Sequence, residues 1–138
     1  MKHIIFLLFI ILNLVSCKNE KQETRKIDED FKVFLEKFSR DSLFQISRVK
    51  FPLRVKELDN DYKSYEKKIK KNEYRKIDLR FHDSIAKREL NKYNQEIKLK
   101  ENKATIEMRG IDNGIMIDIY FEKLDEKWIL VGWNDSST

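Results

Sequence analysis

The spacing of apolar residues changes three times along this chain. Ile4 to Leu12 runs without a polar side chain, and Lys18 to Lys26 has no apolar one. Then Ile27, Phe31, Phe34, Leu35 and Phe38 fall at i, i+4, i+7, i+8 and i+11. That spacing predicts a helix with one bulky aromatic face. Asp28 or a neighbour can cap its start, and acids at 28–30 suit the positive end of its dipole. Asp41-Ser42 reads as the cap of a second short helix through Leu43 to Ile46. Val49 to Phe51 is biased to extended backbone, and Pro52 is expected to end regular structure there. Leu53, Val55 and the Asp59-Asn60-Asp61 cluster suggest a strand and a turn. Tyr62 to Ile69 reads either as the returning strand or as a lysine-rich helix. Asp83 to Lys92 reads as a helix or a long surface loop.

The last forty residues switch to period two, which predicts strands. The alternating sets are Ile97-Leu99, Ala104-Ile106-Met108, Ile115-Ile117-Ile119-Phe121 and Trp128-Leu130. Asn113-Gly114 is a strong hairpin signal. A two-residue loop there would set Met108 opposite Ile119, Ile106 opposite Phe121, Arg109 opposite Asp118 and Glu107 opposite Tyr120. A second two-residue loop at Asp125-Glu126 would set Phe121 opposite Leu130, Asp118 opposite Trp133 and Tyr120 opposite Val131. One sheet face is then apolar (Ile106, Met108, Ile117, Ile119, Phe121, Trp128, Leu130) and should pack on the phenylalanine helix. The other is mixed, with Ile111, Met116, Tyr120, Ile129, Val131 and Trp133 around Glu107, Arg109 and Asp118.

So much apolar surface on a sheet face calls for a cover. Arg109, Asp118, Tyr120 and Trp133 are the candidate ligand or interface residues. The face can be covered by the rest of the chain, meet a second copy, or line a ligand site.

Composition bounds the chemistry. The 138 residues hold 29 basic and 24 acidic side chains, one Cys, one Pro and three Gly. This is one domain of chain, without a disulfide framework or a histidine-rich metal site. Lys2, the apolar run and the small residues before Cys17 follow the secretory pattern. Ile4 to Val15 spans twelve residues. As a helix that is about 18 Å, short of the roughly 30 Å hydrocarbon core. Leu14-Val15-Ser16-Cys17 resembles the lipobox of bacterial lipoproteins. By that resemblance residues 1–16 are a signal peptide, Cys17 carries the lipid, and residues 17–26 form the tether. The domain then spans 27–136. Two or more acyl chains hold a protein stably where one does not. Loss of residues 1–16 leaves 28 basic and 24 acidic residues, a net charge of +4.

Candidate catalytic chemistry is sparse. His82-Asp83-Ser84 holds the residue types of a triad, but contiguous side chains cannot form one. No spacing suggests a zinc or calcium site, and no glycine-rich phosphate loop is present, so neither metal nor cofactor is expected. Asp118 with Tyr120, Glu107 or Trp133 could serve as an acid–base group, or Arg109 and Asp118 could be a cross-strand ion pair. The run Lys67 to Lys76, with Tyr62, Tyr65 and Tyr74 nearby, reads as a solvated face, with contact to anionic lipid headgroups or polymer as the alternative. Interleaved acids and export argue against nucleic acid.

Phe31, Phe34, Phe38, Asp41-Ser42, Phe44-Gln45, Ser47-Arg48-Val49 and Phe51-Pro52-Leu53 together resemble the start of an uncharacterised family of bacteroidetes lipoproteins, domain-of-unknown-function family 4348. Gly114 to Lys123 and Lys127 to Val131 resemble its closing strands, and those of nuclear-transport-factor-2-like domains generally. The resemblance implies an α+β, cystatin-like cone, with N-terminal helices packed on a curved antiparallel sheet. That fold hosts enzymes, binding domains and dimerisation modules alike. The expectation is a lipid-anchored envelope protein of unknown function, facing the periplasm or the cell surface. Its domain is expected to be non-catalytic, binding an envelope protein, a small ligand or a second copy. The alternative is a small-molecule isomerase, dehydratase or hydrolase using the cone.

Overall fold

The computed structural model describes residues 28–81 and 92–138. Helix α1 spans Phe31–Arg40 and α2 spans Ser42–Ser47. Six strands follow: β1 Val49–Leu58, β2 Ser64–Ile69, β3 Tyr93–Lys100, β4 Lys103–Gly110, β5 Met116–Leu124 and β6 Lys127–Asp135. They form one sheet in the order β2-β1-β6-β5-β4-β3. Neighbours are antiparallel except β1 and β6, which run parallel. The expected α+β architecture is therefore present, with a mixed rather than wholly antiparallel sheet. Ile27 and the 83–92 segment, apart from Lys92, lie outside the described residues.

Both helix starts are capped by aspartate. Asp30, rather than Asp28, caps α1 by accepting from Val33 N at 3.0 Å. Asp28 instead pairs with Lys123. Asp41 caps α2, accepting from Leu43 N and Phe44 N at 2.9 and 3.0 Å. Phe31, Phe34, Leu35 and Phe38 are buried, as the stripe predicted. The rings of Phe31, Phe34 and Phe38 all meet Phe121 of β5, with centroids 5.4, 5.6 and 5.5 Å away, edge-on. That geometry sets the positive ring edges against a ring face. Ala104, Ile106, Ile119, Trp128 and Leu130 complete the sheet side of this core.

Pro52 does not end regular structure; it lies inside β1. The reason is local. Pairing with β6 shifts between Val49 and Arg54, and pairing with β2 begins only at Leu53. A residue without an N–H therefore costs no ladder bond at this place. Tyr62 to Ile69 resolves to the returning strand β2, paired from Leu58–Ser64 to Leu53–Ile69.

Beyond β2 the chain crosses back over the helices and is tied down by Gln45, which is fully buried. Its Nε2 donates to the carbonyls of Phe38 and Ile77, each at 2.7 Å. Its Oε1 accepts from Tyr74 Oη and Ile77 N, each at 2.9 Å. All four bonding positions of the amide are thus used. Burial pushes the Tyr74 hydroxyl well above the ordinary tyrosine range. A raised folded-state pKa means its contribution is intact below about pH 10 and fades as pH climbs toward the folded value. Tyr74→Phe should lower stability by about 1 kcal/mol at neutral pH and remove part of the alkaline loss, as read by urea melts between pH 7 and 11. Gln45→Leu, which orphans both Ile77 backbone groups, should cost more than Tyr74→Phe in the same melts.

Candidate functional site

The sheet has an inner face under the helices and an outer face free of them. On the outer face, β4 and β5 bring Thr105, Glu107 and Arg109 beside Tyr120, Asp118 and Met116. The register is two residues off the expectation. Met108 pairs with Ile117, Ile106 with Ile119, and Glu107 with Asp118. The loop holds four residues, 111–114, closed by Gly110 N donating to Ile115 O at 2.7 Å. Neither Asn113 nor Gly114 takes positive φ; Asp112 does, at 56°. The Asn113 side chain is spent on tethering, donating to Lys92 O at 2.8 Å and accepting from Ile115 N at 3.1 Å. A shift of two preserves which face each residue occupies. Arg109 still reaches Asp118 on the diagonal, at 2.6 Å.

The second hairpin follows the expectation at its turn and departs from it higher up. Asp125 and Glu126 have φ of 49° and 63°, the pattern of a type I′ turn, and Phe121 pairs with Leu130. Between Tyr120 and Phe121 the register slips by one residue. Tyr120 then pairs with Gly132, Asp118 with Asn134, and Ile119 with Trp133. The bulge at Val131 flips every later β6 side chain to the other face. Gly132 sits against Arg54, whose carbonyl oxygen would lie 2.7 Å from a Cβ and leaves no room for one. Arg109, Asp118 and Tyr120 thus share the outer face, while Trp133 crosses to the inner side and packs against the core. The bulge carries no motif of its own. The one hint is Gly132, since a strand glycine marks bulges and close approaches.

The outer face is knitted by charge. Arg109 lies 3.4 Å from Glu107, and Lys98 of β3 reaches Glu107 at 2.8 Å. Arg109 Nη1 also donates to the carbonyls of Met108 and Ile117 at 3.0 and 3.1 Å. The Lys98 hydrogen bond holds the Glu107 carboxyl below the usual range. Burial, then the nearby Asp118 charge, raise the Tyr120 hydroxyl. Asp118 is committed to Arg109, and its charge also acts on the neighbouring Tyr120 hydroxyl. A groove of ≈ 500 Å³ crosses this face between Arg54 and Lys56 of β1 and Lys103, Thr105 and Tyr120.

The inner face holds a second, smaller cavity of ≈ 330 Å³, lined by Leu79, Met108, Ile117, Ile119 and Trp133, with Asp78 and Asp135 also in its wall. Among the described residues no group of three or more His, Cys, Asp or Glu side chains is placed to hold a metal. Cys17 and the His82-Asp83-Ser84 triplet lie outside the described residues. Of the basic run's tyrosines, Tyr74 is withdrawn into the Gln45 network and Tyr65 donates to Glu57 at 2.8 Å.

Sequence reading missed Glu29. Its carboxylate accepts from Arg48 Nη1 and Nη2 at 3.0 and 3.1 Å, and from Trp128 N at 2.8 Å. Its carbonyl accepts from Trp128 Nε1 at 2.8 Å. This fork fixes the chain's entry onto the start of β6. The partners are 19 and 99 residues away, so no local pattern announces them.

These features define a class: a helix-filled, curved-sheet α+β domain of the nuclear-transport-factor-2-like and cystatin-like kind. A family model matches residues 29–137, and the chain belongs to that uncharacterised nuclear-transport-factor-2-like family. The solved structures agree. A nuclear-transport-factor-2-like protein from Bacteroides fragilis is 26% identical, with TM-score 0.59, over 81% of this chain and 49% of that one. A cystatin-like protein from Bacteroides caccae is 27% identical, with TM-score 0.56, over 79% and 77%. A Bacteroides uniformis protein solved by NMR shares the fold at 23% identity and TM-score 0.56, over 77% and 76%. This chain thus spans about half the length of the Bacteroides fragilis protein. No curated protein matches it.

If the outer ladder is a solvated ion network, it contributes little to stability. A double-mutant cycle on Arg109→Met and Asp118→Asn should give a coupling under about 1 kcal/mol, shrinking in 1 M salt. A salt-insensitive coupling above about 2 kcal/mol would mark a desolvated pair instead.

Proposed function

We propose that this chain is a lipid-anchored protein of the cell envelope, held in the outer or inner membrane through Cys17 and facing the periplasm or the cell surface. Its domain acts as a non-catalytic binding module. The anchor rests on the lipobox-like Leu14-Val15-Ser16-Cys17. The binding role rests on one observation. Phe31, Phe34 and Phe38 fill the inner face against Phe121 and Trp128, which leaves the outer sheet face as the contact surface. There Met116 and Tyr120 stand exposed beside a charged ladder, a mixed surface suited to an envelope protein or a second copy.

Two experiments test this reading. Cells expressing the full chain should incorporate labelled palmitate, and Cys17→Ser should abolish both the label and the membrane fraction. A photo-crosslinking residue at position 120 should give a discrete adduct that the same residue at the exposed Val33 position does not. Equal adducts at both positions, or none, would contradict the outer face as the contact surface.

The small inner cavity beside Trp133, with Asp78 and Asp135 in its wall, favours the second reading, an isomerase, dehydratase or hydrolase for a small apolar substrate. That reading requires turnover that Ile119→Trp, by filling the cavity, would abolish.

A further inference from the structure

Charge is segregated in this domain. Residues 49–76, which form β1, β2 and the turn after them, hold ten basic and five acidic side chains, a net of +5. The other described residues hold twelve basic and fifteen acidic ones, a net of −3. The acids gather at the chain entry, where Asp28, Glu29 and Asp30 lie beside Asp125 and Glu126. The bases gather on the β2 edge of the sheet.

Pairing sharpens the contrast. Lys67 is neutralised by Glu57 at 2.6 Å, and Lys76 donates to Arg40 O at 2.8 Å. Lys68, Lys70, Lys71, Arg75 and Arg54 are exposed and make no ion pair or side-chain hydrogen bond among the described residues. One nearby aromatic ring, Tyr62 at the turn between β1 and β2, is 72% exposed, while the other two tyrosines are tied into the fold. Tyr74 is half-buried on Gln45 and Phe51, and Tyr65 is bonded to Glu57. Apart from the groove that Arg54 borders, the edge therefore offers dense, unneutralised positive charge rather than an enclosed pocket. Such a surface recognises spread negative charge rather than a shaped molecule.

We propose that this edge, Arg54, Lys68, Lys70, Lys71 and Arg75, binds anionic lipid headgroups and lays the domain against the membrane that holds its anchor. The inference rests on the lipid-anchor reading for its geometry. From Cys17 to Asp28 is eleven residues. Fully extended they reach at most about 40 Å, well beyond the radius of gyration of roughly 13 Å for a domain near this size. The anchor thus permits any side of the domain to reach the surface, and charge selects the side. Each Lys or Arg near an anionic leaflet changes partitioning roughly fivefold. The acidic entry is repelled by the same surface.

The test uses the chain from residue 18 onward, without lipid. It keeps the described fold, since among the described residues every buried apolar core residue lies between Phe31 and Leu130. Cosedimentation with vesicles of phosphatidylcholine and about one-third phosphatidylglycerol should show partitioning that falls steeply toward ~0.5 M salt. Lys68→Gln with Lys71→Gln should weaken it roughly thirtyfold. Lys92→Gln with Lys100→Gln, the same charge change along the opposite, β3 edge, should weaken it less than about threefold. Equal losses in the two variants, no partitioning at low salt, or capture by polyglutamate without vesicle binding would each overturn the proposal. Because the probe chain carries no lipid, such a failure leaves the Cys17 reading standing, and palmitate labelling decides that separately.

Discussion

Everything in this fold is arranged around Phe121. Three phenylalanines one helical turn apart on α1 meet its ring from one side, and Trp128 closes on Phe31 at 5.0 Å. Aromatic side chains bury more area than any other, so this cluster supplies much of the apolar burial a small domain needs. It also dictates the architecture. The helix must lie across the sheet where β5 and β6 present Phe121, Trp128 and Leu130. The Glu29 fork with Arg48 and Trp128 pins its entry, and Gln45 pins the chain's return from β2. What the phenylalanines fill cannot also be a deep reaction chamber. A smaller cavity remains beneath the sheet beside Trp133.

The parts of the molecule legible in the sequence are those set by local periodicity. The Phe31–Phe38 stripe, the Asp41 cap, the period-two strands and the Asp125-Glu126 turn all depend on residues within a few positions of one another. The buried set Ile106, Ile119, Phe121, Trp128 and Leu130 followed from alternation alone. Errors arose where a distant partner overrides local preference. Asn113 has the residue type of a tight turn, but its amide is drawn to Lys92 O, and the loop widens. Pro52 ends strands in general, yet here it sits where neither neighbour needs its N–H. Counting alternation from the turn puts Trp133 on the outer face, and the Val131 bulge turns it inward. A bulge is one residue of extra chain in one strand, and alternation cannot locate it without the partner strand.

The candidate site shows the same division. Arg109, Asp118 and Tyr120 stayed together because a two-residue register error leaves faces unchanged. The ladder they form with Glu107 and Lys98 covers the sheet's solvent side with paired charge. Its chemistry is that of a contact surface, since each carboxylate already has a cation. A cluster of unpaired cations lies elsewhere, on the β2 edge. The chain's modest net charge conceals this, because acids at the helix start and the β5–β6 turn offset it in the sum. Two surfaces of different charge character surround one core: a paired, mixed face and a basic edge.

The central claim is that the inner face is a core and not a binding chamber, and urea unfolding tests it most directly. Phe34 is 1% exposed and Tyr120 38%. If the account holds, Phe34→Ala costs about 3–5 kcal/mol, while Tyr120→Ala costs under about 1 kcal/mol. A functional chamber is lined by residues whose truncation disturbs stability little. Phe34→Ala within about 1 kcal/mol of the parent, with unchanged cooperativity, would contradict the account and return attention to the space under the sheet.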